Sequence, residues 1–402
     1  MAETKKRILI FSHAMELGGA ERVLLGLLEA VDTTQFDVDL FLMRHEGELL
    51  KDIPAKIHLL PEIPQYACLA VPIKRVLMQG HFGVAFGRYQ GKRKARERRE
   101  QLGIMGENDV ALEYSHKYTE RFMPNIGVTT YDLAISFLTP HYFVKDKVKA
   151  KKKIAWIHTD YSKVAVDRKS QLIMWSAYDR IISISDQVSN VFLGVFPELS
   201  GKLVMLPHFM PIEYIRRKAG EKCKPFDEND HVNLLSIGRF CNAKNFDNVP
   251  DICKRIREAG VSVKWYLIGY GGDEALIRQR ITEAGMEEHV IILGKKENPY
   301  PYIKACDLYV QPSRYEGKCV SVIEAQILGK PVVICDYPTS GSQLEDGVDG
   351  IIVPQDNVGC AEGIVKLLKD PAKMEQLQRN CAKRDYSNSR EIEKLYALMD
   401  EL

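Results

Sequence analysis

The chain has 402 residues and nine cysteines, yet no Cys-x-x-Cys pair occurs among them. The cysteines are scattered from Cys68 to Cys381, several inside apolar segments, so a zinc ribbon or a disulfide framework is not expected and buried, reduced thiols are. No apolar run approaches the roughly 18–20 residues that a membrane-spanning helix needs. The formal net charge is only +2, which gives no global field to attract nucleic acid. The dinucleotide fingerprint Gly-x-Gly-x-x-Gly is missing, which argues against a nicotinamide enzyme. The opening residues, MAETKKRILIFSHA, pass from a polar lead straight into a strand without the apolar core of a secretory signal. A cytoplasmic location is the expectation.

What is present is ordinary globular composition, 45% hydrophobic and 27% charged, over a length that suits two cores. Short apolar strands alternate with amphipathic helices twice along the chain, the pattern of an α/β doubly wound fold. Residues 1–206 read as a first domain, opening with the strand Arg7–Phe11, a Gly18-Gly19 loop and a helix with apolar Val23, Leu24, Leu27 and Leu28. Residues 207–230 read as an irregular polar linker, 231–386 as a second domain and 387–402 as a final helix.

The most informative stretch is 307–335, DLYVQPSRYEGKCVSVIEAQILGKPVVIC. A short strand, Leu308–Gln311, ends at Pro312, and after a polar turn apolar residues recur at helical spacing at Val320, Ile323 and Ile327. Gly329 suits a left-handed helix end, and Pro331 blocks further helix. Free N–H groups of the first turn, from Gly317, Lys318 and Cys319 to Val320, would form an anion site at the positive end of the helix dipole. Glu316 stands at its mouth, and Glu324 lies about 10 Å further along at ~1.5 Å rise per residue. Two glutamates at this spacing are by themselves usually a solvated helix face; the surrounding Pro-Ser, Glu-Gly, Glu-Ala and Gly-Lys-Pro-Val-Val lift the signal.

In that setting the stretch resembles the signature of the retaining glycosyltransferases of family 4, whose Glu-x7-Glu motif matches Glu316 and Glu324. The resemblance implies the GT-B fold, two Rossmann-like doubly wound domains facing a cleft, with the final helix crossing back to the first domain. It implies further that Gly238-Arg239 and Lys244, in the turn after the strand Asn233–Ile237, hold the donor diphosphate. Arginine offers a planar fork and lysine a mobile point charge. Gly269 and Tyr270, in a Gly-rich turn where backbone can approach a ligand, and Lys295 are implied at the nucleotide. In the first domain, Gly18 and Gly19 resemble the loop that approaches donor and acceptor. His158, after the strand Ile154–Ile157, is placed beside the donor sugar; the family's Asp follows the His at once, whereas here Thr159 intervenes before Asp160. Lys318-Cys319 departs from the small or aromatic pair common in the family.

The implied activity is retaining, metal-independent transfer of a sugar from a nucleotide-sugar, expected to be a UDP-sugar, to a hydroxyl of a lipid-linked or surface-polysaccharide glycan. Glu316, Arg239, Lys244 and His158 are the expected catalytic set, with no cofactor beyond the co-substrate. The rivals are an epimerase or inverting transferase on the same fold and an inert nucleotide-sugar-binding protein. One segment stands apart. Residues 72–101 hold nine Lys or Arg against two Glu, with Val76, Leu77, Met78, Phe82, Val84, Phe86 and Tyr89 among them. Such a segment can lie on an anionic membrane surface or form a solvated basic helix, and with no nucleic-acid module nearby the third reading is disfavoured. A lysine cluster at 145–153 adds to the membrane reading, which makes peripheral attachment to the inner face of the cell membrane an expectation.

Overall fold

A computed structural model of the chain describes residues 5–104, 108–127, 129–159, 161, 164–226 and 231–400. The chain forms two units, Met1–Met210 with Asn388–Leu402, and Pro211–Ser387.

The first unit is built on seven parallel strands: β1 (Lys6–Ser12), β2 (Phe36–Leu42), β3 (His58–Leu59), β4 (Tyr131–Ser136), β5 (Ala150–Trp156), β6 (Arg180–Ser183) and β7 (Leu203–Met205). They are ordered β3-β2-β1-β4-β5-β6-β7. Ile8, Leu9, Ile10 and Phe11 of β1 are all fully buried, as expected where helices cover both faces of a parallel sheet. The second unit holds six parallel strands: β8 (Val232–Ile237), β9 (Val263–Ile268), β10 (Val290–Gly294), β11 (Leu308–Gln311), β12 (Val332–Cys335) and β13 (Ile351–Val353). Their order is β10-β9-β8-β11-β12-β13. Leu234, Trp265, Leu267, Val310 and Val333 from the strands meet Ile252, Ile256 and Ile364 from the covering helices in its core. In each sheet the winding reverses beside the first strand, between β1 and β4 and between β8 and β11. At such a reversal the loops leaving the two carboxyl ends diverge and open a crevice for ligands. The α/β doubly wound expectation therefore holds for both halves.

Two readings need correction. The segment 207–230 is not a plain linker. Residues 207–210 belong to the first unit, and the helix Ile212–Ala219 belongs to the second, with Tyr214, Ile215 and Ala219 buried. Its cations Arg216, Arg217 and Lys218 fill one end and mask the short apolar face; residues 227–230 lie outside the described residues. The lysine cluster 145–153 runs into β5, and several of its charges are engaged within the fold. Lys147 pairs with Glu120 at 3.1 Å, Lys151 with Asp132 at 2.7 Å, and Lys153 Nζ donates to the Lys145 carbonyl at 2.6 Å. The basic segment is two helices, Ile73–Met78 and Phe82–Leu102, that sort its apolar residues sharply. Val76 and Val84 are buried, whereas Leu77, Met78, Phe82, Phe86 and Tyr89 are 44%, 79%, 67%, 54% and 61% exposed.

The last described stretch joins the first unit. Tyr396, on the helix Ile392–Asp400, stacks on Phe36 with ring centroids 4.3 Å apart, and its hydroxyl accepts the Asp32 amide at 2.9 Å. Asn388 Nδ2 donates to the His208 carbonyl at 2.8 Å. Among the described residues no helix is long and apolar enough to cross a membrane.

Candidate functional site

In the second unit the loops after β8 and β11 meet at the winding reversal. Lys244 Nζ lies 2.6 Å from Glu316 Oε1 and 3.7 Å from Cys319 Sγ, with the lysine and glutamate side chains 17% and 12% exposed. Burial works against the Lys244 ammonium, but Cys319 and Glu316 outweigh it and raise its pKa above the ordinary value. Burial and the nearby Glu316 carboxylate push Cys319 up in turn. The same Oε1 accepts the Ser313 hydroxyl at 2.6 Å, and a relay stands behind it. Tyr309 O–H donates to Gln311 Oε1 at 2.9 Å, and Gln311 Nε2 donates to Ser313 Oγ at 2.9 Å. Glu316 Oε2 has no partner among the described residues. Arg239 is exposed and, among the described residues, makes no ion pair.

The loop bearing Lys244 is held by residues that the sequence reading missed. Asn245 sits at φ +60°, and its buried Nδ2 donates to the Pro312 carbonyl at 2.9 Å. Arg314 grips Asp247 with both guanidinium ends, at 2.9 and 2.7 Å, and donates to the Asn242 carbonyl at 2.7 Å. An Asn and an Asp following Lys in a turn signal an unusual backbone, but their partners are some seventy residues away.

The helix of the Glu-x7-Glu motif runs Val320–Ile327, with Cys319 at its N-cap and no side-chain cap. One correction follows. The Cys319 amide is taken by Gln343 Oε1 at 2.6 Å, and Gln343 Nε2 returns a bond to the Cys319 carbonyl at 3.2 Å. Gln343 thus sets the entry to the helix. Glu324 is fully buried, and its Oε1 accepts the Tyr300 hydroxyl at 2.9 Å. The two glutamates therefore differ: one opens to the mouth of the crevice, the other lies behind it. Lys318 is half-buried, and burial, with the Arg384 cation, lowers its pKa.

The glycines act differently from the expectation. A Cβ on Gly269 would stand 1.9 Å from the Gly238 carbonyl oxygen, and one on Gly271 would stand 2.3 Å from that of Phe240. Their missing side chains let the turns after β8 and β9 pack backbone to backbone, joined by Phe240 N to the Tyr270 carbonyl at 2.8 Å. A Cβ on Gly238 would meet Lys244 Cε at 3.0 Å, so the lysine stem lies across it. Tyr270 is 49% exposed, with Lys295 Nζ 5.3 Å from its ring centre, and Gly317 has open space at its Cβ position.

The remaining site residues belong to the first unit. Gly18 caps the helix Gly19–Ala30, and a Cβ there would stand 2.0 Å from Glu21 Oε2. This carboxylate folds back over the helix start. His158 packs against Phe137 at 4.7 Å and Trp156 at 6.4 Å between ring centres. Burial lowers its pKa to about 4, only partly offset by its bond to the Phe137 carbonyl, so it is neutral at pH 7. Asp160 lies outside the described residues. The chain does contain an Asp-x-Asp, Asp37-Val38-Asp39, within β2. Asp39 is taken by Tyr131 and His58, each at 2.7 Å, and among the described residues no group of three His, Cys, Asp or Glu is placed to hold a metal.

Residues 221–384, which carry the whole Lys244–Glu316 constellation, match the family described as glycosyl transferases group 1. An uncharacterised glycosyltransferase of Methanocaldococcus jannaschii is 23% identical over 57% of this chain and 59% of its own length. From Campylobacter jejuni, N-acetylgalactosamine-N,N'-diacetylbacillosaminyl-diphospho-undecaprenol 4-alpha-N-acetylgalactosaminyltransferase is 27% identical over 50% of this chain and 52% of its own. The chain thus spans about half the length of these relatives. Among solved structures, Anabaena HepE in complex with UDP has a TM-score of 0.65 at 16% identity, covering 99% of this chain and 100% of its own. A Staphylococcus aureus TarM variant in complex with fondaparinux, alpha-GlcNAc-glycerol and UDP also scores 0.65, at 13% identity over 98% and 100%. The fold is that of GT-B glycosyltransferases, and residues 221–384 form a glycosyl transferases group 1 domain.

Proposed function

We propose that the chain is a family 4 retaining glycosyltransferase that moves a sugar from a UDP-sugar to a hydroxyl of a lipid-linked or surface-polysaccharide glycan. The observation that carries this reading is the Lys244–Glu316 pair beside an uncapped helix start, inside the segment that matches glycosyl transferases group 1. An ammonium has three N–H donors. Glu316 takes one, so Lys244 keeps capacity for a diphosphate oxygen while its countercharge holds it in place. Arg239 adds a planar fork, and the first-turn amides add fixed dipoles. Such preorganised donors stabilise charge as it grows on the leaving diphosphate and replace a metal in this role. The second oxygen of Glu316 would accept a donor-sugar hydroxyl, and Glu324 with Tyr300 would hold the ribose. In the retaining step the acceptor hydroxyl attacks the face from which the diphosphate departs, and the departing phosphate takes its proton. UDP is favoured because the structurally similar HepE and TarM are known with UDP. The Campylobacter relative's undecaprenol-linked acceptor favours a lipid-linked one here. Titrating UDP and a panel of UDP-sugars by calorimetry, with chelator present, tests the reading. Saturable binding lost in Lys244→Met supports it, and no binding by any member overturns it. The anomeric proton of the product, read by NMR, separates retention from inversion.

The acceptor reading extends to a membrane surface. Five of the exposed large apolar residues, Leu77, Met78, Phe82, Phe86 and Tyr89, fall within thirteen positions. Phe82, Phe86 and Tyr89 follow one another at helical spacing on one face, which continues into Arg93 and Arg96. Glu97 and Glu100 partly offset these arginines, while Lys74, Arg75 and Lys92 pair with no carboxylate among the described residues. An apolar strip ringed by cations fits an anionic bilayer surface, at roughly 1 kcal/mol for each basic residue close to it.

A further inference from the structure

A strand buried on both faces of a parallel sheet is expected to be apolar throughout, and β11 is not. Leu308 and Val310 enter the apolar core of the second unit. Tyr309 and Gln311 alternate with them and leave the other face, and Ser313 extends this polar file past Pro312. Tyr309, Gln311 and Ser313 are all fully buried. Burying such groups is costly unless each finds a partner. Here the partners are one another, and the file ends on Glu316. Tyr309 Oη lies 2.9 Å from Gln311 Oε1, Gln311 Nε2 lies 2.9 Å from Ser313 Oγ, and Ser313 Oγ lies 2.6 Å from Glu316 Oε1.

The direction of this file follows from its last atom. Glu316 Oε1 accepts from the Lys244 ammonium at 2.6 Å and has no proton to give, so the Ser313 hydroxyl donates to it. Ser313 Oγ is then an acceptor, which turns the amide nitrogen of Gln311 toward it. The Gln311 oxygen takes the Tyr309 proton, and the Tyr309 oxygen accepts the Ile237 amide at 3.3 Å. The polarity runs one way, from the main chain of β8 to Glu316. From the other side, Thr339 Oγ1 donates to the Glu316 carbonyl at 2.6 Å. Glu316 is thus held at its main chain and at Oε1, which leaves Oε2 to meet a ligand.

We infer that Gln311 and Ser313 are positioning residues for the donor sugar, fixing Glu316 by Oε1 so that the single oxygen Oε2 is presented to a sugar hydroxyl. The inference rests on the transferase reading for the sugar. In that reading Lys244 holds the diphosphate, and its own tie to Glu316 does not pass through the relay. Loss of the relay therefore separates sugar binding from diphosphate binding.

Calorimetric titration of Ser313→Ala with UDP, and with whichever UDP-sugar binds the unaltered protein most tightly, tests this. UDP affinity should stay within about twofold, while the UDP-sugar weakens about tenfold, the loss of one buried hydrogen bond. Gln311→Met, close in shape but without the N–H, should shift the same preference in the same direction. Both residues act through Glu316, so Ser313→Ala made in a Glu316→Ala background should add no more than about twofold. A merely structural role would weaken UDP and UDP-sugar alike, and its effect would add to that of Glu316→Ala. Either result overturns the inference, as does a UDP-sugar affinity unchanged in both single variants. If far-UV circular dichroism shows Ser313→Ala unfolded, Ser313→Cys and Gln311→Met decide by the same comparison. Failure of the unaltered protein to bind UDP or any UDP-sugar overturns the transferase reading and the inference with it. A sugar preference unmoved while both ligands bind overturns the positioning role alone.

Discussion

At the scale of single residues, Lys244 and Arg239 are both cations of one crevice but hold opposite positions in the fold. Lys244 is enclosed and tied to Glu316; Arg239 is exposed with no ion pair among the described residues. Arg239→Ala should therefore change unfolding free energy by no more than about 0.5 kcal/mol. It should still lower turnover by about a hundredfold if the side chain stabilises leaving charge. Steady-state kinetics beside a urea denaturation curve checks both halves. Glu324→Ala is a less clean probe than the motif alone suggests, because it also removes an acceptor of the buried Tyr300 hydroxyl. Tyr300→Phe supplies the control: nucleotide affinity should fall in Glu324→Ala well beyond its fall in Tyr300→Phe, as calorimetry would show. The residues named from motifs, Arg239, Lys244, Glu316 and Glu324, were legible because each follows or flanks a strand-to-helix turn with a recognisable spacing. Gln343, Arg314 and Asp247 were not. They act through hydrogen bonds between turns that lie far apart in sequence, and no local pattern encodes such a pairing.

At the scale of elements, strands were read well, since buried parallel strands are continuous apolar runs bounded by Gly and Pro. Reading failed where charge overlies structure, as in Ile212–Ala219 and at the start of β5. Gly269 has a further duty that local sequence does not signal, its small size serving the neighbouring turn. Gly269→Ala should push the turn after β9 away from Gly238 and cost about 1–3 kcal/mol by crowding. Urea denaturation would measure this, and UDP affinity should fall with it because Lys244 rests across Gly238. The helix Phe82–Leu102 gives the converse case. Gly87 and Gly91 let its inner face approach the helix Val110–Thr119 to within what a Cβ would forbid, 2.6 and 2.5 Å from the Tyr118 and Tyr114 carbonyls. Its outer aromatics are mostly exposed, with Phe86 meeting Phe122 edge-on at 6.3 Å between ring centres. Replacing Phe82, Phe86 and Tyr89 together by Ser should abolish sedimentation with phosphatidylglycerol vesicles and leave the thermal midpoint unchanged. An unaltered protein that never sediments with such vesicles would remove the membrane reading.

At the scale of the whole molecule, buried imidazoles make stability depend on pH. His116 and His141 are held neutral by burial, with folded values of about 3 against 6.5 when unfolded. Above pH 6.5 neither state binds the proton and they contribute no slope. As pH falls through 6.5 toward 3 the unfolded chain takes up protons that the folded one refuses. Unfolding free energy then falls by up to about 1.4 kcal/mol per pH unit for each histidine. Urea midpoints followed by tryptophan fluorescence should drop between pH 7 and pH 5.5, and the fluorescence of Trp156 and Trp175 reports the unit that contains both histidines. A flat profile over that window would contradict their burial.

The tail that begins at Asn388 has a consequence for how the chain is made. Because Asn388–Leu402 belongs with residues that precede 211, the second unit is an insertion within the first. Synthesis proceeds from the N-terminus and domains fold as units while it does so. The inserted unit is complete once Ser387 has left the ribosome, while the unit begun first still lacks the helix that places Tyr396 on Phe36. The order of birth and the order of completion are thus reversed, and for that interval β2 exposes an aromatic ring that only a segment made after the second unit covers.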